Sequence, residues 1–228
     1  MDLIIWWTKW IWKALLQIIN NGEWKSCIYT WRINESPDSM NIFYKLDLGK
    51  IGEINQIIEK IYSAHTIHNL YLIWWESNWG DIINMNIEEL YYSLNSNLIS
   101  HALIAQFHIK YCIKKKLWTS IITIWSLTWI KWWKIGYSIS KAWIIALTKS
   151  IAKSVWDKWI RCNCIIPGAV NTNMINDRDE DKKHKIWWIT NLWRIAEPVE
   201  IAEIAYYLWI NKSSYLNWSV IDATAWQR

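Results

Sequence analysis

The chain has 228 residues, with 25 basic and 20 acidic side chains for a net charge of +5, a size that suits one α/β domain over residues 1–228. The charge is scattered: its densest basic run, Lys114 to Lys116, reads as a solvated helix end, so no nucleic-acid partner is indicated. No run reaches the roughly 18 uninterrupted apolar residues of a membrane span, and Cys27, Cys112, Cys162 and Cys164 form neither a Cys-x-x-Cys nor a metal spacing, which fits free thiols in a reducing cytoplasm.

From the amino terminus, Leu3 to Ile19 is apolar and carries Lys9 and Lys13. It lacks the basic start and small-residue cleavage site of a signal peptide and reads instead as strand, turn and helix. Period-2 and period-3.6 patterns then alternate. Strands are expected near 2–6, 26–31, 42–47, 68–74, 119–125, 160–166 and 218–222. Helices are expected near 10–20, 50–64, 86–113, 136–155 and 198–210. Between Arg32 and Asn41 there is no room for more than a single helical turn. Asn171 to Asn191 is polar and weakly periodic, as a mobile lid would be. Strand–helix alternation of this kind predicts a Rossmann-type, doubly wound parallel sheet of about seven strands with helices on both faces.

Chemistry is most concentrated in Gly136-Tyr137-Ser138-Ile139-Ser140-Lys141. Tyr137 and Lys141 stand four residues apart and share one face of a helix. A lysine charge there favours the phenolate, lowering a pKa that is ordinarily about 10, and a tyrosine so tuned can exchange protons at neutral pH. The same spacing recurs at Tyr111 and Lys115, but that copy runs into the lysine cluster and reads as structural. What distinguishes the first copy is its company. Asn97 lies inside the long helical stretch, and Ser126 ends the apolar run Ser120 to Trp125. Pro167-Gly168 leads to Thr172, Arg194-Ile-Ala-Glu-Pro198 follows, and Ser219-Val-Ile-Asp222 closes the set. In order and spacing this resembles the short-chain dehydrogenase/reductase family over nearly the whole chain, and among its members the 3-oxoacyl-carrier-protein reductases.

That family opens with Thr-Gly-x-x-x-Gly-x-Gly, where this chain has Ile5-Trp6-Trp7-Thr8-Lys9-Trp10-Ile11-Trp12. Each family glycine is a tryptophan. Trp31, Trp75, Trp143, Trp156, Trp159, Trp193 and Trp218 extend the pattern. The chain holds 23 tryptophans and 6 glycines, where average usage gives about 16 glycines. In such a turn the glycines permit tight chain reversal, approach of a pyrophosphate, and close helix–strand packing, and side chains oppose all three. A gene that uses UGA for glycine, decoded with UGA as tryptophan, produces this pattern. The expectation is therefore that many of these positions are glycine in the living protein. The alternative is a genuinely Trp-rich chain, a decayed relative or an aromatic binding surface.

The resemblance implies an NADP(H)-dependent oxidoreductase reducing a carbonyl of a small molecule or acyl thioester. Asn97, Ser126, Tyr137 and Lys141 would be its catalytic residues. The cofactor would meet the turn Trp6, Thr8, Lys9, Trp10, Ile11 and Trp12, then Arg32, Asp47, Leu48 and Trp75, then Tyr137, Lys141, Pro167, Gly168, Val170 and Thr172. Arg32 and Lys9 favour NADP over NAD, because no acidic residue lies between Ile28 and Arg32 to bind the ribose hydroxyls of NAD. Family habit implies a cytoplasmic homotetramer or homodimer, with no metal, membrane or nucleic acid. The competing reading is a non-catalytic relative acting as a binding or scaffold subunit.

Overall fold

A computed structural model describes residues 1–5, 11–21, 26–30 (backbone only), 41–74, 82–126, 135–172 and 190–225. Seven parallel strands form one sheet: β1 (Asp2–Ile5), β2 (Ser26–Thr30), β3 (Ile42–Lys45), β4 (Asn69–Leu72), β5 (Thr119–Ile124), β6 (Ile160–Pro167) and β7 (Val220–Ala223). Their order is β3-β2-β1-β4-β5-β6-β7. The chain thus winds outward from β1 in one direction, then returns to the other side of β1 and winds the opposite way. The reversal falls between β1 and β4, and crevices for ligands form at the carboxyl ends of strands at such a point.

The helices are α1 (Ile11–Asn20), α2 (Ile51–Ala64), α3 (Ile87–Leu94), α4 (Ser100–Lys115), α5 (Ile135–Ser154) and α6 (Pro198–Trp209). Strand alternation sorts them onto two faces. Leu3, Ile5, Leu70, Leu72 and Ile121 point to one face, where they meet Ile54, Ile58 and Ile61 of α2, Ile104 of α4 and Ile151 of α5. Ile4, Tyr71, Ile122 and Ile165 point to the other, against Leu15 and Ile19 of α1 and Ile201 and Leu208 of α6. Each such aliphatic side chain, fully buried, contributes about 1.5–3 kcal/mol, so truncating a shared one such as Ile121 to alanine costs about 2–5 kcal/mol.

Local chemistry sets the helix ends. Asn86 caps α3, its side chain accepting from the Glu88 amide at 2.8 Å. At the start of α6 stands Pro198 at a position whose amide would lack a helical partner anyway, and the Glu197 amide donates to Glu200 Oε2 at 2.8 Å.

One element differs from expectation. The stretch expected as a single helix over 86–113 is interrupted by a π-helical turn, Asn95–Ile99, between α3 and α4. Turns of this kind insert into α-helices most often at functional sites, and this one carries Asn97. The expected lid falls mainly on residues 173–189, outside the described residues, as does the segment expected to lack a crossover helix.

Candidate active site

The carboxyl ends of β4 and β5 are bridged by one side chain. Lys141, on the second turn of α5, has no exposed surface. Its Nζ donates to the carbonyl of Trp74 just past β4, at 3.2 Å, and to the carbonyl of Ile124 at the end of β5, at 3.0 Å. Burial pushes its pKa down to about 7, and the nearby Cys164 thiol opposes that shift. Among the described residues no carboxylate pairs with this ammonium, whose hydrogen bonds go to carbonyls. An uncompensated buried cation of this kind is costly, and a neighbouring anion or a reaction that uses the proton would offset the cost.

Tyr137 sits one turn earlier on the same face of α5, 5% exposed. Gly136 explains how this end of α5 comes so close to α3, because a Cβ there would lie 2.8 Å from the Cβ of Ser93. Ser93 in turn accepts from Asn97 Nδ2 at 3.3 Å, and Asn97 is fully buried. The glycine, the serine and the π-turn together bring Asn97 beside the helix that carries Tyr137 and Lys141. Ser126 lies two residues past β5, half-buried, at the same end of the sheet.

The downstream segment is anchored on the same side. Gly168 follows β6, and a Cβ on it would lie 2.8 Å from the Thr224 carbonyl oxygen. Val170 forms a parallel bridge with Ala196, and Val170 and Thr172 are 7% and 9% exposed, so Pro167, Gly168, Val170 and Thr172 line one fixed loop. Leu48 is buried. Asp47 has two structural ties, accepting from the Gly49 amide at 2.9 Å and from the Tyr92 hydroxyl at 3.1 Å. Ile11 and Trp12 begin α1 and are buried in the core rather than open to solvent. Trp6, Thr8, Lys9, Trp10, Arg32 and Trp75 lie outside the described residues.

Two features were not singled out in the sequence. The carbonyls of Trp74 and Ile124 that hold Lys141 carry no side-chain signature. His101, one helical turn past Asn97 and 1% exposed, could have been found from its spacing. A cavity lined by Asn69, Thr119 and Arg161 lies at the amino ends of β4, β5 and β6, opposite to this cluster. Among the described residues no group of His, Cys, Asp or Glu could hold a metal ion, and no helix is long and apolar enough to cross a membrane.

At the carboxyl ends of β4 and β5, next to the switch point, the buried Lys141 ammonium has no carboxylate among the described residues, which fits a dinucleotide there. A family model described as enoyl-(acyl carrier protein) reductase matches residues 32–223. The 3-oxoacyl-(acyl-carrier-protein) reductase of Chlamydia pneumoniae is 29% identical over 194 residues, covering 76% of this chain and 71% of that protein. The crystal structure of a short chain dehydrogenase family protein from Francisella tularensis superposes with a TM-score of 0.81 at 24% identity, covering 98% of each chain. A 4-hydroxyisoleucine dehydrogenase complexed with NADH superposes with a TM-score of 0.91 at 16% identity, covering 99% of this chain and 98% of that one.

Proposed function

This chain belongs to the short-chain dehydrogenase/reductase family, and from that premise we propose that it is a single-domain, NADP(H)-dependent reductase of a small carbonyl substrate, a 3-oxoacyl thioester being the class its relatives suggest. The observation that carries the reading is Lys141, an ammonium buried without a carboxylate among the described residues, on one helix face with Tyr137 and beside the π-turn of Asn97. When bound, the nicotinamide supplies a hydride to the carbonyl carbon. Tyr137 donates its phenolic proton to the oxygen that becomes the alcohol, and Ser126 donates a hydrogen bond to that same oxygen. Lys141 favours loss of the Tyr137 proton and holds the nicotinamide ribose. Asn97 orients a water on the path by which the proton is restored. Thr172 and its loop hold the carboxamide, and Arg32 with Lys9 holds the extra phosphate of NADP.

The same reading requires glycine in the first turn. Support for recoding comes from backbone angles elsewhere. Five described non-glycine residues have positive φ, and three are tryptophans: Trp159 (60°), Trp193 (55°) and Trp218 (64°). No described glycine has positive φ. Left-handed backbone costs a residue with a Cβ about 1–2 kcal/mol and is glycine's usual place. Tryptophan thus stands at left-handed positions of the kind that glycine usually fills, and we extend the reading to Trp6, Trp10 and Trp12.

Ile99, Ile139 and Trp143 are exposed on the π-turn and on α5, an apolar surface that supports a homodimer or homotetramer through these helices; the cytoplasm is the compartment we propose for it. Tryptophans truly present at 6, 10 and 12 would favour the second reading, a non-catalytic scaffold subunit. The test has two parts. Peptide masses of the native protein across residues 1–13 should show glycine at 6, 10 and 12, and NADPH should be oxidised with acetoacetyl thioesters. Tryptophan masses with no NADPH-dependent thermal shift would sink the enzymatic reading, since a ligand at 100 times its Kd should add about 2.7 kcal/mol.

A further inference from the structure

Asp47 stands just past β3, at the carboxyl end of the sheet's edge strand, and a residue of a distant helix holds it there. One carboxylate oxygen, Oδ1, accepts from the Gly49 amide at 2.9 Å and from the Tyr92 hydroxyl at 3.1 Å. The other, Oδ2, takes no hydrogen bond among the described residues. Two donors on one oxygen decide which oxygen is left open, since a carboxylate accepts at both. Tyr92 is itself fixed. It and Ser93 are neighbours on α3, and each packs against a glycine: a Cβ on Gly49 would collide with the Tyr92 ring, as one on Gly136 would with Ser93. Two of the four described glycines therefore admit adjacent side chains of one helix. The helix α3 is wedged between the loop after β3 and the start of α5, and the Tyr92 hydroxyl is a fixed post.

The strand order puts β3 three spacings from β4, about 14 Å along the carboxyl edge. Lys141 stands at the β4 end of that edge, so a dinucleotide with its nicotinamide beside Lys141 has its base toward Asp47. A carboxylate oxygen without a donor accepts from an exocyclic amino group and repels a carbonyl oxygen. Adenine carries an amino group where hypoxanthine carries a carbonyl. We propose that Tyr92 sets the base specificity of the cofactor site: by holding Oδ1 of Asp47 it leaves Oδ2 to accept from the adenine amino group. Tyr92 is thus a positioning residue that acts through Asp47. The proposal rests on the reductase reading above, with Asp47 at the base. A bond that only tied α3 to the loop would matter equally to any dinucleotide, whereas a bond that aims Oδ2 matters to adenine alone.

Calorimetric titration of the protein with NADPH and with its hypoxanthine analogue separates these roles. The unaltered chain should bind NADPH about tenfold more tightly than the analogue. Tyr92→Phe keeps the ring against Gly49 and removes the hydroxyl. It should weaken NADPH by about fivefold and leave the analogue as it was, and in assays the loss should fall on KM for NADPH rather than on kcat. Equal weakening of both dinucleotides, or of neither, would overturn the proposal. Should Tyr92→Phe not fold, Asp47→Asn decides. Its carbonyl oxygen would stay on Gly49 and Tyr92 and its amide NH2 would face the base, so the preference should pass to the hypoxanthine analogue; an unchanged preference for NADPH would overturn the role of Tyr92. An unaltered chain that binds both dinucleotides equally would defeat this proposal and leave the reductase reading standing. One that binds neither would remove the reductase reading and this proposal with it.

Discussion

The two ends of the sheet each bury a charge-bearing group, and they do so with opposite sign. At the carboxyl end Lys141 is pushed down to about 7. At the amino end of β1, burial pushes Asp2 up to about 7, with the chain's own N-terminus and a 3.0 Å hydrogen bond from Asn69 opposing the shift. A perturbed pKa alone therefore does not mark a functional site. Asp2 is tied to Asn69 within the strand pair, far from any π-turn or helix crossing. Lys141 stands at the carboxyl ends of β4 and β5, next to the switch point, with Tyr137 on its own helix face and Asn97 brought close where Gly136 meets Ser93. Position separates the two where burial does not.

The largest test of that difference is catalytic. Tyr137→Phe removes the proposed proton donor while keeping the buried ring, so kcat should fall by about 10²–10⁴ with the unfolding midpoint little changed. Asp2→Asn, at the other end, should leave kcat as it was. Steady-state rates with NADPH and an acetoacetyl thioester check both, and an active Tyr137→Phe enzyme would break the comparison.

The same contrast shows which parts of the molecule were readable from sequence. Alternation such as Leu3-Ile4-Ile5 and the spacing of Leu15 and Ile19 give strands and helices directly, because each element's periodicity is fixed by which faces it buries. Tyr137 and Lys141 could be placed on one face for the same reason. The π-turn could not, because it leaves no local period; it lies beside the tertiary contact where α3 and α5 meet at Ser93 and Gly136. Nor could the acceptors of Lys141, which are backbone carbonyls, or the tie of Asp47 to Tyr92 across 45 residues. The positive φ values at Trp159, Trp193 and Trp218 needed coordinates as well.

Stability against pH offers the next largest effect, and the two ends should give opposite slopes. Asp2 has a folded pKa above its unfolded value of 3.8. Its contribution is complete below about 4 and is lost as pH rises to about 7, an effect on the order of 4 kcal/mol. Lys141 has a folded pKa below its ordinary 10.5. Its contribution is complete above about 10.5 and is lost as pH falls to about 7, on the order of 5 kcal/mol. Urea unfolding from pH 4 to pH 10 should show least stability from these two groups near neutrality. Asp2→Asn should flatten the acid side alone and Lys141→Met the alkaline side alone. Loss of both slopes in either variant would mean that the two ends are not independent.

Smaller effects are expected where backbone rather than charge is strained. Trp193→Gly and Trp218→Gly should each raise stability by about 1–2 kcal/mol, by relieving left-handed backbone. Trp159→Gly should gain less, because Trp159 stacks on Trp118 at 4.6 Å, a contact worth about 0.5–1.5 kcal/mol. Trp143 lies within α5 and is exposed, so Trp143→Gly should instead cost about 0.5 kcal/mol through helix propensity. Gains at 193 and 218 with a loss at 143 would tie the recoding argument to conformation. Uniform losses would leave it with composition alone.

The smallest effect should come from the most conspicuous ion pair. Arg194 and Glu200 approach to 2.6 Å at the start of α6, but their side chains are 52% and 38% exposed. Glu200 is held down to about 2, first by its hydrogen bond from Arg194 and then by the Glu197 amide. Its pKa is depressed on folding, so whatever it contributes is present above about 4.5 and lost as pH falls toward 2. Solvent screens a pair this exposed, and such pairs are worth about 0–1 kcal/mol. Arg194→Met should therefore cost little, and less still in high salt. Glu200→Ala should cost more, about 1 kcal/mol, because it also strips the helix start of the bond from the Glu197 amide, while Glu200→Gln should keep that bond and recover most of the loss. If Arg194→Met cost as much as the charge at either buried end, exposure would not be what ranks these groups, and the contrast between the two ends of the sheet would lose its physical basis.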